Sequence, residues 1–376
     1  MATIRDVAQR AGVAPSTVSY VFNGSRSISE ETRRRVQEAV DALGYHPRAS
    51  ARTLRSSRTR VIALALPRAA GLQHTVDGRF AIDVSDAANG LGYDLLLTTS
   101  QDKAEGLRRV ALSGLADAAV LMAVDMEDAR IDVVRELVFP AALIGRPADE
   151  DALPWTDLDW EEAAALAVSE LAAAGHRDMV YLAPGEAEVR GRRSYALRGI
   201  EGARRGARAT RAAVEVVHSV SDPAQLAHRL SALLGHGADE AGSAHSTDRT
   251  DGTSGTAGAR APGRPTALVV QHPCAHHHIL ASVTAAGLRV PEDLAVVVIG
   301  SLPGDPSSRR LPRIELPVET LALEVTRLAV AAATALREDG PRSTEPGARL
   351  LADSVGHLLI PPVLLPGAVP LGPPHR

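Results

Sequence analysis

Pro15, Ser16, Thr17, Ser19, Tyr20 and Asn23 crowd hydroxyl, phenol and amide groups into a nine-residue stretch near the start of the 376-residue chain. Groups of this size and polarity hydrogen-bond phosphate oxygens and base edges, and an α-helix carrying them fits the major groove of DNA. The chemistry on offer is recognition. No catalytic constellation stands beside it. The sequence has no G-x-S-x-G elbow, no P-loop and no G-x-G-x-x-G after its first apolar run, so no enzyme is expected and no cofactor is implied. His272, Cys274, His276, His277 and His278 cluster residue types that bind metals, and His272 and His276 have the i, i+4 spacing of a helical zinc site. No HExxH-type base accompanies them, and the expectation is a polar cleft lining or helix cap, with no metal.

Three short helices would position the polar stretch. Thr3 can cap the first, with Asp6 where a carboxylate meets the positive helix end. Val7, Ala8 and Ala11 share one face, and Gly12 supplies a left-handed stop. Val13 is the buried anchor of the turn. Pro15 opens the second helix at the first-turn position proline tolerates, and Val18, Val21 and Phe22 form its narrow apolar face. Ser29 caps a third, Glu30 and Glu31 fill its first turn, and Val36, Val40 and Leu43 make its stripe before Gly44. Two helices joined by a tight glycine turn, with a third beside them, read as a helix-turn-helix unit. A three-helix interaction bundle, the alternative, does not account for the polar second helix.

Charge agrees. Residues 1–60 carry 11 Arg against 5 Asp and Glu, a net +6, while the rest of the chain nets −10. A basic head on an acidic body points to a polyanion partner for the head alone. Lys103 is the only lysine, and a single cysteine, Cys274, excludes an intramolecular disulfide and fits a reducing compartment. The first residues lack a hydrophobic signal core, and no apolar run reaches the ~18–20 residues that span a bilayer. The expected location is the cytoplasm, at the nucleoid, with no membrane contact.

Residues 3–56, "TIRDVAQRAGVAPSTVSYVFNGSRSISEETRRRVQEAVDALGYHPRASARTLRS", resemble the head of the LacI/GalR family of bacterial repressors. The resemblance implies that Pro15, Ser16 and Tyr20 read bases and that Thr17, Asn23, Ser29 and Thr32 contact phosphates, with Thr3, Ser19 and Ala51 in the same DNA-facing set. It also implies that residues 45–58, basic and nearly free of apolar side chains, become ordered on DNA as hinge helices in the minor groove. There Leu54 would act as the wedge that kinks the duplex. The implied partner is a double-stranded, pseudo-palindromic operator bound by a homodimer, and the implied role is repression.

From residue 61 short apolar runs alternate with helical stretches. Strands are expected at 61–67, 93–99, 117–123, 140–145, 179–184, 214–218, 266–271 and 294–300, and helices at 79–91, 103–113 and 129–138. Repeated β-α units imply parallel sheets covered by helices, and about 300 residues are too many for one such sheet. The resemblance, which extends over essentially residues 2–362, implies a periplasmic-binding-protein-like effector domain. The expected fold is therefore an all-α helix-turn-helix head plus an α/β two-lobed periplasmic-binding-protein-like effector domain. Its expected parts are the head at 1–46, the hinge at 47–59, the effector and dimerisation domain at 60–362 and a Pro-rich, extended tail at 363–376. Lobe 1 is expected at 60–157 and 290–318, and lobe 2 at 158–289 and 319–362, with crossings near 158–161, 290 and 318–321. Residues 236–263 are small and polar without an apolar face, and read as a disordered insertion.

Ligands of open α/β lobes sit outside the carboxyl ends of the strands. The candidate loops are 68–75, 155–159, 185–193 and 271–278, and their candidate effector contacts are Arg68, Gln73, Asp159, Arg193 and His272. Two positions depart from the family: its arginine three residues before the glycine of "LRG" is Ala196 here, and its aspartate after the "LVV" strand falls on Pro273. The resemblance implies a small-molecule effector, a sugar or sugar derivative. The alternatives are a ligand-independent regulator with a degenerate cleft, and a sugar-binding module, which the basic head disfavours.

Overall fold

The computed structural model describes residues 2–23, 28–43, 58–67, 73–220, 222–235, 265–271, 276–304, 308–338 and 356–372. The chain forms two compact units, Met1–Thr59 and Arg60–Arg376. The hinge residues Ala51 and Leu54, the insertion 236–263, and Arg68 and His272 lie outside the described residues.

In the first unit, helix α1 spans Ile4–Ala11 and opens with a reciprocal cap. The Thr3 hydroxyl accepts from the Asp6 N–H at 3.4 Å, and the Thr3 N–H donates to the Asp6 carboxylate at 2.7 Å. The Thr3 N–H bond, with a second from the Thr3 hydroxyl to the same carboxylate at 2.8 Å, holds the Asp6 carboxyl below its usual range. Gly12 ends α1 at φ 66, a left-handed backbone that a side chain would strain. Helices α2 (Pro15–Asn23) and α3 (Glu30–Leu43) follow. Val7, Ala8, Ala11, Val18, Val36 and Ala39 are the buried core, with Val13, Val21, Val40 and Leu43 packed at its margin. Half of these six buried residues are alanines, so the helices cross closely around a small core.

The second unit holds two six-stranded sheets. Strands β1 (Val61–Pro67), β2 (Asp94–Ser100), β3 (Ala118–Leu121), β4 (Ala141–Ile144), β5 (Trp155–Leu158) and, from the far end of the chain, His357–Ile360 build the first. Every pairing in that sheet is parallel. The second sheet is built from β6 (Asp178–Ala183), β7 (Ala213–His218), β8 (Ala267–Gln271), β9 (Ala295–Ser301) and β10 (Arg313–Glu315), closed by an antiparallel edge, Leu364–Leu365. With β11 for His357–Ile360 and β12 for Leu364–Leu365, the orders are β11-β5-β4-β3-β1-β2 and β12-β10-β9-β8-β6-β7. Strands β3, β4, β8 and β9 are buried along their whole length, as parallel strands covered on both faces must be.

The covering helices are α4 (Gln73–Gly90), α5 (Lys103–Ser113), α6 (Ala129–Leu137), α7 (Trp160–Ala173), α8 (Glu186–Arg190), α9 (Ser194–Thr210), α10 (Pro223–Gly235), α11 (His276–Ala285) and α12 (Val318–Glu338). Helix α12 packs on α4 and on β3, β4 and β5 of the first sheet, whereas α7 packs on α9 and the second sheet.

This strand order corrects the expected lobes. Residues 295–315 belong to the second sheet, and 318–360 return to the first. The chain crosses between lobes at 158–160, 316–318 and 360–364, while residue 290 sits in a turn between α11 and β9 of one lobe. Two further expectations give way, and the tail is placed in more detail. Residues 155–158 form a central strand of the first lobe rather than a loop. Helix α4 begins at Gln73, six residues before the expected start. The described part of the tail is docked: β12 extends the second sheet, the Ala368 and Val369 N–H groups donate to the carbonyls of Arg309 and Arg310, and the Leu371 carbonyl lies 3.0 Å from His176 Nε2.

Candidate DNA-reading helix and effector cleft

On the head, a helix rotates about 100° per residue, which places Ser16 and Tyr20 on the side of α2 away from Val18. The structure agrees: Val18 is wholly buried, Pro15 and Ser16 are exposed, and Thr17 and Tyr20 are half-buried. Ser19 departs from expectation. It is only 7 % exposed, because it lies between the Val18 side and the outer face and packs into the bundle. Ser29 and Thr32 sit together at the start of α3, where the Ser29 hydroxyl donates to Thr32 Oγ1 at 2.9 Å and accepts from the Thr32 N–H. Thr3 is committed to its cap. Asn23 is the last residue of α2.

In the second unit a cleft opens between the lobes at the carboxyl ends of β3, β4 and β5. The void, its mouth included, is about 590 Å³. Val76, Asp77 and Phe80 line it from α4, Met122 to Val124 from the end of β3, and Trp160, Ser194 and Tyr195 from the starts of α7 and α9. At its base Asp157, 4 % exposed, accepts from Trp160 Nε1 at 2.9 Å and from the Arg146 N–H at 3.0 Å. Burial lifts the Asp157 pKa to about 7, against the pull of these bonds and of the Arg146 and Arg198 charges. The Tyr195 hydroxyl donates to Glu188, and burial raises its pKa well above the usual phenol value.

The expected effector contacts fare unevenly. Arg193 reaches the cleft margin but is occupied: its guanidinium pairs with Asp125 and donates to the Ala123 carbonyl at 2.7 Å. Lys103 Nζ holds the same aspartate at 2.6 Å. Asp159 points elsewhere and caps α7 by accepting from the Glu162 N–H at 3.0 Å. Gln73 opens α4. Ala196 is wholly buried, and the cleft gains no cation from that position. Sequence reasoning missed Asp77, Asp157, Trp160 and Tyr195. Asp157 was within reach, since it lies two residues from Asp159 in the stretch singled out, but reading that stretch as a loop hid the alternation of a strand.

Residues 3–48 match the family described as bacterial regulatory proteins, lacI family, and residues 168–352 match a periplasmic binding protein-like domain. The head is of the lacI family. Among LacI-family relatives, the catabolite control protein A of Priestia megaterium is 29 % identical over 183 residues, covering 48 % of this chain and 54 % of that one. The HTH-type transcriptional regulator MalR of Streptococcus pneumoniae is 35 % identical over 149 residues, 38 % of this chain and 45 % of its own. The chain thus spans about half the length of the curated relatives it matches. The fold likeness runs further. A lac repressor dimer bound to operator and the anti-inducer ONPF superposes with a TM-score of 0.73 at 19 % identity, covering 97 % of both chains. A CelR–cellobiose complex gives 0.58 at 22 %, covering 97 % of this chain and 98 % of that one. At such identities these two structures show a likeness of fold alone. Among the described residues no helix is long and apolar enough to cross a membrane, and no group of three or more His, Cys, Asp or Glu side chains could hold a metal.

Proposed function

We propose that this chain is a sequence-specific transcriptional regulator, a repressor that binds a pseudo-palindromic operator as a homodimer in the cytoplasm. A small molecule in the interlobe cleft modulates it. The observation that carries the reading is α2: a helix that follows a tight Gly12 turn, buries Val18 and presents Pro15, Ser16 and Tyr20 outward. In this reading Pro15, Ser16 and Tyr20 meet base edges, and Thr17, Asn23, Ser29 and Thr32 meet phosphates. Thr3, Ala51 and Leu54 complete the DNA surface, and Ser19 supports it from within.

Pairing has a candidate surface of its own. Among the described residues β2 is an outer strand of the first sheet with no further strand beside it, and it carries exposed Leu97, while the neighbouring α4 and α5 regions expose Ile82, Leu112 and Leu115. An uncovered strand edge flanked by large apolar side chains favours association with another copy.

Selection of duplexes from a random pool by the purified protein tests the reading. The expected product is a palindromic consensus whose binding weakens steeply with salt, since Arg–phosphate contacts release counterions. Tyr20→Ala should relax discrimination at one position of each half-site by about 1–3 kcal/mol. Equal affinity for the selected and random duplexes rejects the reading.

A further inference from the structure

We propose that the effector of this cleft is a small organic cation, an ammonium group on a short apolar body, held by Asp157 and Asp77 among aromatic rings. The proposal rests on the regulator reading for the word effector, and on the cleft alone for the chemistry.

The cleft's own composition points there. The chain has only ten aromatic residues, and three of them, Phe80, Trp160 and Tyr195, line this one space. Trp160 and Tyr195 lie with ring centroids 5.6 Å apart and planes tilted by 47°. Aromatic faces carry partial negative charge and attract a desolvated cation. The charged groups in the lining, among the described residues, are both carboxyls: Asp77, 7 % exposed, and Asp157, 4 % exposed. Arg146 and Arg198 act on Asp157 through their charge, while their guanidinium groups pair with Glu150 and make no hydrogen bond to the Asp157 carboxylate. Arg198 donates to the carbonyls of Arg146 and Pro147 and to Glu150, and Arg193 and Lys103 share Asp125. None of them lines the space.

A second observation marks this as a binding site. Ser194 Oγ, on a residue 1 % exposed, borders the cleft and has no hydrogen-bond partner in the protein. An orphaned buried hydroxyl is costly unless something occupies the space beside it. One hydroxyl and two carboxyls are enough for the donors of an ammonium group. Among the described residues they are few for a sugar, each of whose hydroxyls needs a partner. The apolar walls from Val76, Met122 and Leu316 then suit a hydrocarbon body of a few carbons.

Calorimetric titration of the full chain at pH 8, without DNA, separates these chemistries. The probes are isopentylamine, its neutral isostere isopentanol, and glucose. The amine should bind saturably and at least about tenfold more tightly than the alcohol, with glucose weaker still. Asp157→Asn and Asp77→Asn should each lower amine affinity about tenfold or more and leave alcohol affinity within about twofold. Asn keeps the size of Asp157 and can still accept one of its two bonds, and the second variant tests the same cleft from another helix. Alcohol or glucose binding as tightly as the amine overturns the proposal, as does the absence of saturable amine binding. The regulator reading is judged separately by duplex selection with the ligand-free protein, so either can fail alone.

Discussion

Folding carries Asp157 out of water, where a carboxyl loses its proton near about pH 4, into a site where its pKa stands at about 7. Burial is the larger cause, and the Trp160 and Arg146 bonds and the Arg146 and Arg198 charges only partly oppose it. Between these two values the folded chain holds a proton that the unfolded chain has released. Its contribution therefore makes stability fall as pH rises from about 4 to 7 and level off above that window, by a total on the order of 4 kcal/mol. Asp157→Asn cannot titrate. It loses one of two accepted bonds, a constant offset, so its stability relative to wild type should improve by several kcal/mol between pH 4 and pH 8. Urea unfolding of both proteins at the two pH values measures this directly, and parallel curves would show that the carboxyl is ionised in the fold throughout. The buried pair Asp128–Arg130 runs the other way. Burial raises the Asp128 pKa, but hydrogen bonds and charge from Arg130, at 2.6 Å, outweigh it and bring it to about 2. Its contribution is present above about pH 4 and is lost as pH falls towards 2.

At the scale of elements, α7 and α9 show what an amino-acid sequence states only indirectly. A Cβ built on Gly202 would lie 2.0 Å from the Glu161 carbonyl oxygen, and one on Gly206 2.9 Å from that of Ala165. The two helices touch through backbone, and α9 approaches α7 on a face of small residues. Gly202→Ala should therefore destabilise by at least about 1–3 kcal/mol despite alanine's better helix propensity. Gly78→Ala on α4, whose added methyl meets nothing within 4 Å, should instead stabilise by about 0.5–1 kcal/mol. Denaturation midpoints of the pair separate close packing from propensity. The same distinction explains which elements were legible. Strands such as β1, β8 and β9 are unbroken apolar runs and could be read directly. Strand β5 was missed because its four residues include Thr156 and Asp157, polar yet buried, and only tertiary partners such as the Leu321 carbonyl make them tolerable there. Strands β10, β11 and β12, of three, four and two residues, are too short for any periodicity, and the lobe swap followed from missing them. The head was legible to the level of caps because its signals are local. The cleft was not, because Asp77, Asp157 and Tyr195 meet only through the fold.

For the molecule as a whole, the lobes of the effector domain are joined by more than their three crossings. The segment after β3 pairs with the turn before α9: the Ser194 N–H donates to the Val124 carbonyl at 3.0 Å, and the Met126 N–H to that of Arg192 at 2.8 Å. Side chains reinforce the bridge. Arg193 pairs with Asp125, and Arg192 grips Glu127 through Nε and Nη2 at 2.6 and 3.1 Å. Strand β3 lies two positions from β5, roughly 10 Å from the crossing strands, so the bridge restrains rotation that the crossings alone would permit. A ligand shifts the lobes only by as much as it prefers one arrangement, and this bridge sets part of the energy it works against. Arg193→Ala removes the central pair and leaves Asp125 with Lys103, so no carboxylate is orphaned. Hydrogen exchange at Met126 and Ser194 reports the bridge itself. Protection at both amides should fall about tenfold or more, equivalent to about 1.4 kcal/mol of opening free energy, while Val180 and Val297 in the second sheet keep theirs. Unchanged protection at Met126 and Ser194 would mean that the two backbone bonds and Arg192 hold the lobes without the pair, and the control of opening would then rest on the crossings at 158–160, 316–318 and 360–364.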